Sequence, residues 1–149
     1  PMVAVAIQPR RYTHKGIRQN LTFSVNIPST DMVKEVDYCG IISGSKVDKV
    51  SICQFRVFYG KLDTAPLIEQ CPVNLECKVV HMLDLGSHWL VVGGVEESHV
   101  SESCLTDGNP DVAKIKPLVF TIAPARQYHN LGGVIAKAYF IGEELRARE

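Results

Sequence analysis

Hydrophobic and polar positions along the chain divide it into short, differently patterned segments. Residues Met2 to Gln8 read MVAVAIQ, a nearly continuous apolar run that predicts a buried strand. PRRYTHKGIRQN follows, and Thr13 is positioned to cap a short helix ending near Asn20. In LTFSVNIP, Leu21, Phe23, Val25 and Ile27 fall on one face at period two, and Pro28 closes the strand. STDMVKEVDYCGI changes the period. Ser29 or Thr30 is a candidate N-cap, Asp31 sits in the first turn, and Met32, Val33, Val36 and Cys39 recur at helical spacing. Gly40 is the expected stop. VDKVSICQF reads as a further short helix.

From residue 72 onward the pattern is that of strands. VNLECKVVHML places Val73, Leu75, Cys77, Val79 and His81 on one face, and HWLVVGGVEESHV reads as a long strand. Its Gly93 and Gly94 signal a bulge or a close backbone approach. SESCLTDGNPDVAKIKP is a polar excursion with turn signals, LVFTI is the expected last strand, and LGGVIAKAYFIGEELRARE forms a glycine-marked tail. Strands dominate, short helices occupy the connections, and no regular strand–helix alternation or internal repeat occurs. That combination favours an antiparallel barrel or sandwich over a doubly wound sheet.

Length and composition narrow the classes. The 149 residues suit a single domain, with 46% hydrophobic and 21% charged residues. Sixteen basic residues balance sixteen acidic ones, which argues against nucleic acid as the main partner. No apolar run approaches the roughly 20 residues that span a bilayer, so no membrane partner is expected. A start at Pro1 points to residues missing upstream. The five cysteines, an odd count without a compact repeat, suggest reduced thiols and a cytoplasmic location.

The chemistry-bearing segment is DYCGIISGSKVDK, Asp37 to Lys49. Glycines, hydroxyls and lysines in one loop suit an anion such as a phosphate. The spacing is not that of a nucleotide P-loop: Gly40 and Gly44 are too close, and Ser45 precedes Lys46. Arg10 and Arg11, followed by Tyr12 and Thr13, come directly after a strand, where guanidiniums and a hydroxyl serve either as phosphate ligands or as a solvated turn. Gly86 to Trp89 read GSHW, so His88 is either a buried structural histidine or a site residue. A metal site is not expected. Cys71, Cys77 and His81 would share a strand face, but its ends lie roughly 33 Å apart, and no C-x-x-C occurs. Cys53, Cys71 and Cys77 read as small core residues.

Four blocks carry a resemblance: FSVNIPSTDMVKEVDYCGIISGSKVDK, APLIEQCPVNLECKVV, LGSHWLVVGGV and YHNLGGVIAKAY. Together, and in this order, they resemble the flavoredoxin and flavin reductase family. The resemblance implies a mainly β fold, a six-stranded antiparallel Greek-key split barrel with short connecting helices, as a single domain over residues 1–149. The first strand of that barrel is expected to be missing from this chain. It implies FMN as cofactor, NAD(P)H as electron donor, and a homodimer with a possible redox partner protein. Arg10, Arg11, Tyr12 and Thr13 would grip the ribityl-phosphate arm. Cys39, Gly40 and Ser43 would line the flavin pocket, with Lys49 near the phosphate. His88 would sit near the flavin or nicotinamide as the catalytic candidate, and Tyr128 to Gly132 near the site or the dimer contact. Lys46 is expected to point to solvent, and Lys49 to have no partner without ligand. Three functions remain open: a flavin reductase, a carrier with tightly bound FMN, and a flavin-free dimeric scaffold. SICQFRVFYG is more hydrophobic than the family pattern.

Overall fold

The computed structural model describes residues 1–146. In chain order the elements are β1 (Met2–Ile7), α1 (Tyr12–Asn20), β2 (Thr22–Ile27), α2 (Val33–Ile41), α3 (Lys49–Ile52), β3 (Val57–Phe58), β4 (Leu67–Ile68), β5 (Val73–Asp84) and β6 (Trp89–Val100). Then come β7 (Leu105–Thr106), β8 (Asn109–Pro110), α4 (Val112–Ile115), β9 (Val119–Thr121), β10 (Gln127–His129) and α5 (Glu143–Arg146). Four strands form one antiparallel sheet in the order β1-β6-β5-β2, and the remaining strands pair two by two. The expected mainly β, antiparallel class with short connecting helices is what the chain adopts. Four of the six strands expected in a single barrel lie in the main sheet among the described residues.

Two irregularities give the central hairpin its shape. β5 and β6 run in register except between Glu76 and Cys77, where Glu96 of β6 is extra, and between Val79 and His81, where Val80 is unpaired. Each extra residue bends the strand and reverses which face the following side chains take. Cys77 is buried with Phe23, Val91 and Ile17, and Leu75 and Val79 pack on the same cluster, as the alternation predicts. Beyond Val80 the phase flips, so Met82 rather than His81 meets the core, and His81 is exposed.

Gly93 is a close approach and not a bulge. It pairs with Val3 and Val79, and a Cβ there would lie 2.5 Å from the Phe23 ring. The core is therefore built on a glycine opposite an aromatic side chain.

The short elements deviate from expectation at their ends. α1 begins at Tyr12 with Arg11 as N-cap, two residues earlier than a Thr13 cap requires. It ends at Leu21, whose φ of 56° and N–H to the Ile17 carbonyl close the helix. Ser29 precedes a 3-10 turn, Thr30–Met32, and neither it nor Thr30 makes a side-chain cap. α2 runs through Gly40 to Ile41, so Gly40 is not its stop. LVFTI yields β9, but it is not last: β10 pairs with it as an exposed two-stranded ladder off the main sheet. Cys71 and Cys77 are buried as expected, whereas Cys53 is only half-buried and belongs to no core cluster.

A buried carboxylate fixes the loop beside the sheet. Glu76 is fully buried on β5. Its Oε1 accepts from the Lys61 amide at 3.1 Å and contacts His99 Nε2 at 2.7 Å, while Oε2 accepts from the Leu62 amide at 2.6 Å. Burial pushes its pKa up, but the bonds from His99 and the two amides outweigh that and leave it below the ordinary carboxylate value. Glu76, Glu97 and His99 hold their ligand atoms within 4.8 Å of one another. With Glu76 engaged by two backbone amides, the cluster works as a pin for residues 60–62.

Candidate functional site

The site grows from the ends of three helices that meet beside β1. α1 starts directly after β1, so its first turn lies at the sheet edge. No acidic residue stands in that turn, and Arg11 makes no side-chain cap. Among the described residues the amides of Tyr12 and Thr13 have no hydrogen-bond partner. An uncapped helix start presents free N–H groups and the positive end of the helix dipole.

α2 and α3 form the opposite wall. Lys49 reaches back from α3, and its ammonium donates to the Cys39 carbonyl near the end of α2 at 2.6 Å. A cation on the final carbonyls of a helix complements its dipole. Asp48 caps α3, accepting from the Val50 and Ser51 amides at 3.0 and 3.2 Å and from the Ser51 hydroxyl at 2.6 Å. The Ser51 hydroxyl and amide bonds hold the Asp48 carboxyl below its ordinary pKa. Between these helices the loop folds on itself, with Ser43 and Ser45 hydroxyls 2.9 Å apart and the Lys46 amide donating to the Ser43 carbonyl. A Cβ on Gly44 would lie 3.4 Å from the Tyr12 ring, so the loop reaches α1 there.

These walls enclose a cleft of about 1080 Å³. Arg11, Tyr12 and Thr13 line one side, and Cys39, Gly40, Ser43 and Lys49 the other. Seven of the eight residues singled out as cofactor ligands are thus brought together. Arg10 is not among the lining residues; it is exposed and its Nε donates to the Gln8 side chain at 3.1 Å. His88 is not among them either. It occupies the β5–β6 turn, half-buried, with Nδ1 3.0 Å from the Ser87 hydroxyl. Its neighbour Trp89 packs on buried His14 of α1, ring centroids 5.4 Å apart.

Two expectations about the lysines change. Lys49 has a partner without any ligand, the Cys39 carbonyl. Lys46 is exposed, but it also lines the cleft, and its ammonium makes no ion pair among the described residues. The apolar floor was missed by sequence reasoning: Ile7, Phe55, Pro66 and Ile68 all reach the cleft. Only Ile7 had a signal, its place at the end of the first strand. Pro66 and Ile68 arrive because the polar face of β2 holds their segment: Ser24 donates to the Pro66 carbonyl, and the Ile68 amide donates to Asn26 Oδ1 at 3.0 Å.

A second cleft of about 890 Å³ shares Ile7, Tyr12, Thr13 and Pro66 with the first and continues along β2 past Thr22, Ser24 and Asn26. Tyr128 of β10 donates to Asp37 of α2 at 3.1 Å, which ties the exposed ladder to the helix that carries Cys39.

The flavin reductase like domain matches residues 1–130. The chain belongs to that family. A flavoredoxin from Methanosarcina acetivorans superposes with a TM-score of 0.92 at 42% identity, covering 97% of this chain and 76% of that one. The flavoredoxin of Desulfovibrio vulgaris (Miyazaki F) gives 0.89 at 33% identity, covering 95% and 76%. An FMN-binding protein from Thermus thermophilus gives 0.76 at 25% identity, covering 92% and 73%. The main sheet with its short helices is accordingly the family's split-barrel architecture. An uncharacterized protein of Archaeoglobus fulgidus is 36% identical over 112 residues, which is 74% of this chain and 62% of that protein. The chain therefore spans less than two thirds of the length of that curated relative. Among the described residues no helix is long and apolar enough to cross a membrane.

Proposed function

We propose that the chain binds FMN in the Arg11–Lys49 cleft and serves electron transfer between NAD(P)H, the flavin and an acceptor. The observation that carries this reading is the convergence on one cleft of an uncapped helix start, a guanidinium, a free ammonium and two hydroxyls. That donor set fits a phosphate dianion beside an apolar floor of Ile7, Phe55, Pro66 and Ile68. Membership of the family, and the names of the flavoredoxins and the FMN-binding protein it resembles, support the same cofactor.

Arg11 and the Tyr12 and Thr13 amides would hold the phosphate, with Lys46 adding charge from the rim. Ser43 and Ser45 would take ribityl hydroxyls, and Cys39 and Gly40 would bound the ring. Lys49 has a positioning role: by holding the Cys39 carbonyl it fixes α2 against α3 and so sets the width of the cleft. Bound flavin would supply the two-electron chemistry, and the protein would supply position and charge. His88 stands outside this arrangement and is not assigned a catalytic part in it.

The carrier form of this function, with FMN held tightly, is favoured by the two flavoredoxins at 42% and 33% identity. A homodimer is part of the proposal, because Val134, Ile135 and Tyr139 of the tail are each at least 95% exposed and need cover. A reducing, cytoplasmic setting fits five unpaired cysteines.

Absorbance of the purified full-length protein tests the reading. A flavin spectrum that bleaches with NAD(P)H, without stimulation by added FMN, supports a carrier. Stimulation of NAD(P)H oxidation by added FMN supports a reductase. No flavin uptake at all refutes both.

A further inference from the structure

The strap from Thr64 to Cys71 has little backbone pairing of its own. Its strand β4 is two residues long and pairs with Val57 and Phe58 of β3. So short a pairing holds register weakly. Side chains of the main sheet hold it instead. The Thr22 and Thr64 hydroxyls lie 2.7 Å apart, Ser24 donates to the Pro66 carbonyl, and Asn74 donates to the Cys71 carbonyl at 3.1 Å.

Asn26 makes the most specific of these attachments. Its Oδ1 accepts from the Ile68 amide at 3.0 Å, and its Nδ2 donates to the Ser24 hydroxyl at 3.1 Å and to the Pro66 carbonyl at 3.4 Å. One carboxamide thus meets the carbonyl of residue 66 and the amide of residue 68, as the N–H and C=O of a strand residue do in a parallel ladder. The strap alternates at this point. Ala65 and Leu67 are wholly buried, whereas Pro66 and Ile68 reach the main cleft, and Pro66 lines the second cleft as well. A slip of one residue would exchange the two sets.

We propose that Asn26 is the positioning residue of the flavin floor: it fixes the register that presents Pro66 and Ile68, and not Ala65 and Leu67, to the flavin ring. The proposal rests on the reading of the main cleft as a flavin site. Asn26 is not among the residues that line that cleft, so it acts through the strap. Only a carboxamide supplies both functions. Aspartate keeps the acceptor for Ile68 but loses the donor for Ser24 and Pro66, and it sets a carboxylate against the Pro66 carbonyl. Leucine keeps a similar volume and loses both. The ring, and not the phosphate, feels the change, so FMN and riboflavin are affected alike.

Two measurements on the full chain test this. The first needs no ligand. In amide hydrogen exchange the Ile68 amide should be protected in the native chain, less protected in Asn26→Asp, and exchange at loop rates in Asn26→Leu. Unchanged protection in Asn26→Leu overturns the proposal.

The second is titration with FMN and with riboflavin. Asn26→Leu should weaken both by the same factor, about tenfold, and shift the visible absorbance of the bound flavin. Ile68→Ala added to Asn26→Leu should cost little more, because the residue through which Asn26 acts is already displaced. Arg11→Ala added to Asn26→Leu should keep its full effect on FMN. Asn26→Asp, which retains one bond, carries the same comparison should the leucine variant not fold. A lower denaturant midpoint with both affinities and the flavin spectrum of the folded variant unchanged overturns the proposal. So does a loss confined to FMN. A native chain that takes up neither flavin refutes the reading of the cleft, and the exchange result then decides by itself whether Asn26 sets the register.

Discussion

The Glu76 pin and the Arg11–Lys49 cleft use the same groups, charges and backbone amides, in opposite ways. At Glu76 every bond is made inside the protein. The carboxylate is fully buried, and two loop amides and His99 meet its oxygens. At the cleft, the amides of Tyr12 and Thr13 and the Lys46 ammonium point at no protein acceptor among the described residues. Buried polar groups that are satisfied specify structure, because leaving any one of them unmet is costly. Converging groups left unmet at a surface are the ones free to meet a ligand. The comparison predicts that substitutions at the pin act on stability and substitutions at the cleft act on binding.

The largest effect should come from Glu76→Ala, which strands two loop amides and a histidine. Removing one partner of a buried charged network costs about 3–5 kcal/mol, read as a lower denaturant midpoint. Acid offers a milder form of the same experiment. Glu76 has a folded-state pKa below its unfolded value, so its contribution is complete above the ordinary carboxylate pKa. It is lost as pH falls below that value, and in Glu76→Gln this part of the acid sensitivity should be absent.

Arg11→Ala comes next. Loss of a charge-assisted phosphate contact should weaken FMN by about one to two orders of magnitude, with folding stability nearly unchanged because Arg11 is exposed. Calorimetry on both variants gives the cross-check: a Glu76 variant that folds should bind FMN as the native chain does.

Gly93→Ala sharpens the structural side. Its Cβ would collide with the Phe23 ring, and overpacking of this kind costs roughly 1–3 kcal/mol. Phe23→Leu in the same chain should recover part of that loss.

The smallest effect is expected at Lys49, where the two regions blur. Lys49→Ala removes a hydrogen bond to the Cys39 carbonyl, about 0.5–1.5 kcal/mol of stability. It should weaken FMN and riboflavin alike, because it widens the cleft and does not touch the phosphate. A loss confined to FMN would show that Lys49 is a phosphate ligand.

Much of this was legible in the chain, and the failures have physical causes. The strands of the main sheet, the break at Pro28 and the short helix α3 follow from period and turn chemistry. His81 was misplaced because a bulge at Val80 reverses the phase, and no residue type announces a bulge there. Gly40 was read as a helix stop, yet its backbone is helical and Ile42 ends the run instead. The loop from Ser43 to Lys49 stood out by composition, and Arg11 to Thr13 by following a strand. The partners of Lys49 and Glu76 did not stand out, because they are carbonyls and amides contributed by residues ten and fifteen positions away. The apolar floor of the cleft is delivered by a segment held through β2's polar face, a long-range effect invisible to local pattern.

The central claim is that the α1 start and Arg11 form a phosphate site. Parallel titration of the full-length protein with FMN and with riboflavin, at equal ionic strength, tests it most directly, since the two ligands differ only in the phosphate. The account predicts that FMN binds at least about tenfold more tightly, one charge-assisted contact or more, and that Arg11→Ala erases most of the difference. Equal affinity of the native chain for both ligands would contradict it.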